Sequence, residues 1–164
     1  MNDKREQTKL SWSTPLIRSK VLVTTLVIGF LCYGFFTWIL WPVKVSGRSM
    51  APTYTDGSRH FINKMAYWSA KPLRGDVVAL RARDGDIYIK RIVGLPGEIV
   101  SFESGFLHVN GAPVREGYTE TRVPFSWRKA FALGEDDYFV IGDNRTISVL
   151  TPVKSTQIIG KVAF

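Results

Sequence analysis

Ser49 stands in the stretch VKVSGRSMAPTY, Val43 to Tyr54, close to Gly47, Met50 and Pro52 and separated by seven residues from Trp41, where the longest apolar run of the chain ends. A serine hydroxyl is a poor nucleophile until a base takes its proton, so a catalytic Ser49 needs a second residue. The chain has two histidines. His108 alternates with Leu107 and Val109 just before Asn110-Gly111, which fits a half-exposed strand residue, while His60 follows Ser58 and Arg59 in a polar stretch that fits surface solvation. Neither suits a Ser-His-Asp triad. The better candidate base lies in DIYIKRIVGLPGE, Asp86 to Glu98. On a strand, Asp86, Tyr88, Lys90 and Ile92 share one face and Ile87, Ile89, Arg91 and Val93 the other, so Lys90 falls between an aromatic and an aliphatic neighbour. A strand lysine commonly snorkels from an edge. Under apolar cover its ammonium instead loses hydration, its pKa falls, and the neutral amine accepts a proton near neutral pH. The residues alone leave both readings open, and a Ser/Lys pair is one variant of triad logic.

The element before Ser49 is a membrane span. Val21 to Trp41 is 21 residues without a charge, long enough to cross the roughly 30 Å hydrocarbon core as a helix. It exceeds the roughly 7 to 15 apolar residues of a cleaved secretory leader. It also ends in Trp38, Trp41 and Pro42, residues suited to the water interface, rather than in a small-x-small site. The expectation is a retained single-pass anchor in the inner (cytoplasmic) membrane. The basic tail, residues 1–20, then stays in the cytoplasm by the positive-inside rule, and residues 42–164 form a domain on the extracytoplasmic, periplasmic face. Cys32 is the single cysteine and lies within the span. The exported domain therefore has neither a disulfide nor a thiolate metal site, and no His, Cys or carboxylate cluster has ligand spacing, so no metal or cofactor is implied.

The formal charge of +8 does not mark a nucleic-acid binder. Residues 1–20 hold five basic residues against two acidic ones, and the rest of the excess is scattered, with no basic helix and no run of five like charges. At 164 residues without internal repeats, the chain is one domain plus an appendage. After Pro42 it shows short β-type segments divided by turn residues and no sustained 3.6-residue period: His60 to Lys64, Asp76 to Leu80, Asp86 to Val93, Ile99 to Phe102, Phe106 to Val109, Tyr138 to Ile141 and Ile158 to Ala163. In GFLHVNGAPV, Asn110-Gly111 offers the two positive-φ residues of a type I′ hairpin turn. The exported domain is read as mainly β. Glu116 to Glu135, carrying Phe125, Trp127 and Phe131, is a longer connection that reads as a lid, a partner surface or a packed loop.

GRSMAPTY, RGDVVAL, YIKRIVGLPGE and IGDNR, in that order behind an N-terminal span, resemble the ordered boxes of the type I signal peptidases, membrane-bound Ser/Lys peptidases that remove signal peptides from exported proteins. The match runs from about Val43 to Arg145. One box would be weak; four in order are specific. The resemblance implies a signal-peptidase-like antiparallel β domain behind one transmembrane helix, acting on signal-peptide-bearing precursors at the lipid bilayer. It makes Ser49 the nucleophile and Lys90 the general base, with Met50 and Pro52 fixing the turn and the Ser49 N–H supplying the oxyanion hole. Gly47 occupies the position where some members add a side-chain hydroxyl to that hole. Val45, Tyr54, Tyr88 and Ile89 would line the groove for the small residues before the scissile bond. Asp143, Asn144 and Arg145 would be structural, holding the strand that backs Lys90, and Ser148 stands where the family has a serine hydrogen-bonded to the lysine. The short link from Trp41 keeps the nucleophile within reach of the membrane surface, and Trp68 and Trp127 are candidates for headgroup contact or for the core.

The chain departs from the family where an Asp-Ser-Arg triplet usually follows that serine. Here the residues are Val149, Leu150 and Thr151, so the site is expected to lack an Asp/Arg ion pair, a loss that need not be costly when both partners go together. Other functions compatible with the chain are a weakly active member, a specialised relative that processes pilin or conjugative-transfer proteins, and a membrane-anchored binding module without catalysis. A self-cleaving repressor-type peptidase needs a helix-turn-helix where this chain has its span.

Overall fold

The computed structural model describes residues 15–82, 85–124, 129–149 and 151–163. Helix α1, Pro15–Ile39, opens on a proline, which suits a first helical turn because its missing N–H has no intrahelical acceptor there. Its apolar stretch, Ser19–Ile39, is 21 residues long, about 30 Å at 1.5 Å per residue. Val21, Leu22, Val23, Leu26, Val27, Ile28, Phe30 and Leu31 are all exposed. A helix apolar around its whole circumference suits lipid better than a half-buried position on a globule. Two of its hydroxyls are satisfied internally, Thr25 donating to the Val21 carbonyl and Thr37 to that of Gly34, as suits a hydrocarbon surrounding.

The rest of the chain, residues 39–164, is a separate unit of strands: β1 Leu40–Lys44, β2 Arg59–Asn63, β3 Val77–Arg81, β4 Ile87–Gly94, β5 Ile99–Glu103, β6 Phe106–Val109, β7 Ala112–Pro113, β8 Phe131–Ala132, β9 Asp137–Ile141, β10 Thr151–Lys154 and β11 Ile158–Ala163. One antiparallel sheet runs β1-β2-β11-β3-β4-β9-β10 and a second β7-β6-β5-β8. All seven expected strands form, within a residue or two at each end. Asn110 and Gly111 take φ of 51° and 79°, the left-handed pair that a type I′ turn between β6 and β7 needs.

The span is shorter at its end than the apolar run. Leu40 and Trp41 belong to β1, paired with Asn63 and Ile62, and Pro42 lies in the same strand opposite Phe61. β1 is an edge strand, where a proline's missing N–H deprives no neighbour of a hydrogen bond. Apolar composition continued across the boundary, whereas the backbone changes from helix to strand there.

Three apolar clusters fill the unit. Val93, Val100, Phe102, Leu107, Phe139 and Ile141 join the two sheets. Val78, Leu80, Ile92, Tyr138, Val140 and Val153 form a second, and Val45, Met50, Val77, Ile89 and Val162 a third, beneath the nucleophile segment.

Candidate active site

Three segments distant in sequence meet around Ser49. The nucleophile segment leaves β1 and is tied back on itself: the Val45 N–H donates to the Ser58 carbonyl, the Gly57 N–H to Val45, and the Tyr54 N–H to Met50. Gly47 has φ of +94°, and its N–H donates to the Asp56 carboxylate at 2.9 Å. Met50 and Val45 are 1% and 5% exposed, so the turn that carries Ser49 is anchored through their side chains. Pro52 follows Ala51 through a cis bond within this turn.

Strand β4 brings Lys90 to the turn. Its Nζ lies 2.8 Å from Ser49 Oγ, across 41 residues of sequence. Burial pushes the Lys90 ammonium below the ordinary lysine range, and the Asp143 carboxylate acts in the opposite direction. Lys90 is half-buried in mid-strand, not a snorkelling edge residue.

The loop after β9 supplies the third segment. The Asn144 N–H donates to the Ser49 carbonyl at 3.0 Å. Gly142 lies so close beneath it that a Cβ there would overlap the Ser49 carbonyl oxygen and Ser148 Oγ. Ser148 is placed differently from its expected role. Its hydroxyl is 2.6 Å from the Asn144 carbonyl and 3.2 Å from that of Ser49, and the lysine's hydrogen-bond partner is Ser49 itself. The Ser148 hydroxyl therefore lies against the backbone of Ser49 and Asn144.

A different Asp/Arg ion pair, outside the positions of the missing triplet, stands beside the site. Arg91, next to Lys90, donates from Nε and Nη2 to the two Asp143 oxygens at 2.8 and 2.6 Å, and from Nη1 to the Gly75 carbonyl at 2.7 Å. Asp143 also accepts from the Thr53 hydroxyl at 2.5 Å. Fully buried Asp143 thus ties β4, its own loop and the nucleophile segment together. Arg145, equally buried, donates to both Glu116 oxygens at 2.9 and 2.6 Å.

Of the expected groove residues, Val45 and Ile89 are packed in the cluster beneath the turn, with half-buried Tyr54 against it, while Tyr88 is 45% exposed. His60 is not simply solvated. Its ring meets that of Tyr54 edge-on at 4.6 Å, Nε2 is 3.0 Å from Ser58 Oγ, and Nδ1 is buried without a partner among the described residues. His108 is the half-exposed strand residue expected, on β6. Trp68 is 76% exposed and so is no core aromatic; Trp127 and Phe125 lie outside the described residues.

The sequence reading missed Thr53, Glu116, Tyr118 and Arg91. Arg91 was the most legible of them, because an arginine alternating with Ile89 and Val93 on the buried face of a strand must find a carboxylate.

The family model described as "Signal peptidase, peptidase S26" matches residues 18–164. Signal peptidase I P of Bacillus subtilis subsp. natto is 31% identical over 156 residues, covering 89% of this chain and 79% of the relative. Signal peptidase IB of Staphylococcus aureus (strain Mu50 / ATCC 700699) is 30% identical over 164 residues, with 87% and 84% covered. A crystal structure of a signal peptidase I from Enterococcus faecalis V583 is 30% identical with a TM-score of 0.48, covering 57% of this chain and 97% of that one. By the family match over nearly its whole length and by the Bacillus and Staphylococcus relatives, the chain belongs to the signal peptidases of family S26.

Proposed function

We propose that the chain is a membrane-anchored endopeptidase that removes signal peptides from exported precursors, with Ser49 as nucleophile and Lys90 as general base. The carrying observation is the 2.8 Å approach of Lys90 Nζ to Ser49 Oγ at a lysine whose pKa burial depresses. A neutral Lys90 takes the Ser49 proton as Oγ attacks the scissile carbonyl carbon. The negative charge that develops on the carbonyl oxygen is met by the Ser49 N–H. The Lys90 ammonium then protonates the leaving amine, which departs as the new N-terminus of the mature protein. The signal peptide remains as an ester on Ser49, and a water deprotonated by Lys90 hydrolyses it. Exposed Tyr88 and half-buried Tyr54 flank this centre as walls for an extended chain.

Helix α1 anchors the enzyme, its basic N-terminal tail in the cytoplasm and the β unit on the extracytoplasmic face. With only nine residues between Ile39 and Ser49, the chain itself limits how far the nucleophile strays from the end of the span. Incubation of the purified chain with a secretory precursor, and mass spectrometry of the new N-terminus, tests the reading. The expected result is one cut after a small residue, absent with Ser49→Ala. A precursor left whole, together with no labelling of Ser49 by a serine-reactive probe, would instead mark a binding module.

A further inference from the structure

Between β7 and β8 the chain lies over the loop that follows β9. Thr119 and Thr121 tie it there: the Thr119 hydroxyl is 2.6 Å from the Asp143 carbonyl, and the Arg145 N–H donates to the Thr121 hydroxyl at 2.6 Å. Tyr118 projects between two buried guanidiniums, with Arg91 Cζ 4.1 Å and Arg145 Cζ 5.9 Å from its ring centroid. Its hydroxyl donates to Glu116 Oε1 at 2.5 Å, and Glu116 is itself fixed by Arg145. The ring therefore has no freedom to swing away from Arg91.

We infer that the strap of residues 116–121 positions the reaction centre through Tyr118, whose ring braces the Arg91 guanidinium against the Asp143 carboxylate. The inference rests on the Ser49/Lys90 reading. Arg91 is held on three sides: by the carboxylate in its plane, by the Gly75 carbonyl on Nη1 and by the aromatic face. A cation over a ring is attracted by the ring's quadrupole, and a planar guanidinium can stack and form both carboxylate bonds at once.

The consequence for Lys90 is electrostatic. The groups around it are Asp143 on the loop after β9 and Arg91 on its own strand; the nucleophile segment presents Ser49 and, beside Arg91 and Asp143, Tyr54. Val78 lies opposite on β3, and the strap turns Tyr118 and Glu116 towards the guanidiniums. Asp143 is the anion that opposes the effect of burial on Lys90. While Arg91 is seated, much of that negative charge is compensated. Loosening Arg91 leaves more of it to hold a proton on Lys90, which raises the pH at which the base becomes available.

The test is the pH dependence of kcat/KM for the full-length chain on a peptide spanning a cleavage site. Tyr118→Leu and Tyr118→Met remove the aromatic face, and Tyr118→Phe keeps it. The expected result is an acid limb displaced upward by roughly half a pH unit or more in the Leu and Met variants. That is about a threefold loss below the limb, recovered as pH rises, while Tyr118→Phe keeps the wild-type midpoint. A uniform loss at every pH with an unchanged midpoint, or failure of both the Leu and the Met variant to fold, would reduce Tyr118 to a packing residue and overturn the inference. An active Ser49→Ala would sink the underlying Ser/Lys reading and the strap's role with it. A dead Ser49→Ala beside an unmoved limb in Tyr118→Leu sinks only the latter.

Discussion

The Asn144 N–H donates to the carbonyl of Ser49 across 95 residues of sequence, so Ser49 is held by its backbone while its side chain faces Lys90. Around that bond, Gly142 supplies room and Ser148 a second donor. Ser49 is thus fixed through both its backbone and its side chain.

Ser49→Ala should lower kcat by roughly five to six orders of magnitude, as expected when one member of a unit-acting pair is removed. The half-buried hydroxyl carries little packing, so the thermal midpoint should stay within a few degrees. Retention of a few per cent of wild-type activity assigns the nucleophile elsewhere.

Lys90→Met separates proton transfer from packing. A lysine whose folded pKa lies below its ordinary value binds fewer protons in the folded state across the window between the two. Stability therefore rises with pH through that window, and the penalty is full below the folded value. Met has similar length and no charge, so the variant should be inactive yet at least as stable as wild type near pH 7. Lys90→Arg keeps a charge at every pH and should be inactive and less stable than Lys90→Met. Calorimetry of the three proteins decides it; a Met variant that melts well below wild type would make Lys90 an ion-pair residue.

Gly142→Ala places a methyl where the Ser49 carbonyl oxygen and Ser148 Oγ already lie. Overpacking of this kind costs about 1–3 kcal/mol, and the shift falls on the nucleophile. Activity should drop by more than tenfold while a circular dichroism spectrum stays wild type in shape. Ser148→Ala relieves one of the two overlaps, so the double variant should recover part of the loss.

Removing one half of the buried pair should be worse than removing both. Arg91→Met strands the Asp143 carboxylate, and Asp143→Asn strands the guanidinium, each costing about 3–5 kcal/mol. Arg91→Met with Asp143→Leu should cost clearly less than the sum of the corresponding single changes, Arg91→Met and Asp143→Leu, when urea midpoints are compared. Simple additivity would mean that the two side chains are not coupled.

A fragment beginning at Ile39 retains every strand of the larger sheet and should fold and cut short peptides, though a membrane-bound precursor more slowly, since the anchor contributes effective concentration. A fragment beginning at Val45 lacks β1 and bares the edge of β2. It should melt several degrees lower and aggregate more readily in a light-scattering assay.

Strands with period-two alternation were legible from the chain: the pattern around Lys90 placed β4 to within a residue, and Asn110-Gly111 marked its hairpin. β1 was hidden because its apolar residues continue those of the span, and β10 because Pro152 in a four-residue strand reads as a breaker. β7 and β8 have two residues each, too few for any periodicity. The approach of Ser49 to Lys90 was legible only through ordered motifs. The clasp of Arg91, Asp143 and Thr53 was not, since nothing local says which buried carboxylate an arginine will find 52 residues away. Ser148 was read by position alone, and the backbone carbonyls of Asn144 and Ser49 lie within hydrogen-bond reach of its hydroxyl.

β11 is not at an edge but lies between β2 and β3. Ser49 arrives on the β2 side of that gap and Lys90 on the β3 side, and Val162 completes the cluster beneath Met50 and Ile89. Until residues 158–163 have been made and inserted, the two halves of the sheet share no ladder, and closing it requires contacts about a hundred residues apart in sequence. A nascent chain thus carries Ser49 and Lys90 before β11 exists to join the two halves of the sheet. β11 is thus the keystone between the half of the sheet that leads into Ser49 and the half that carries Lys90.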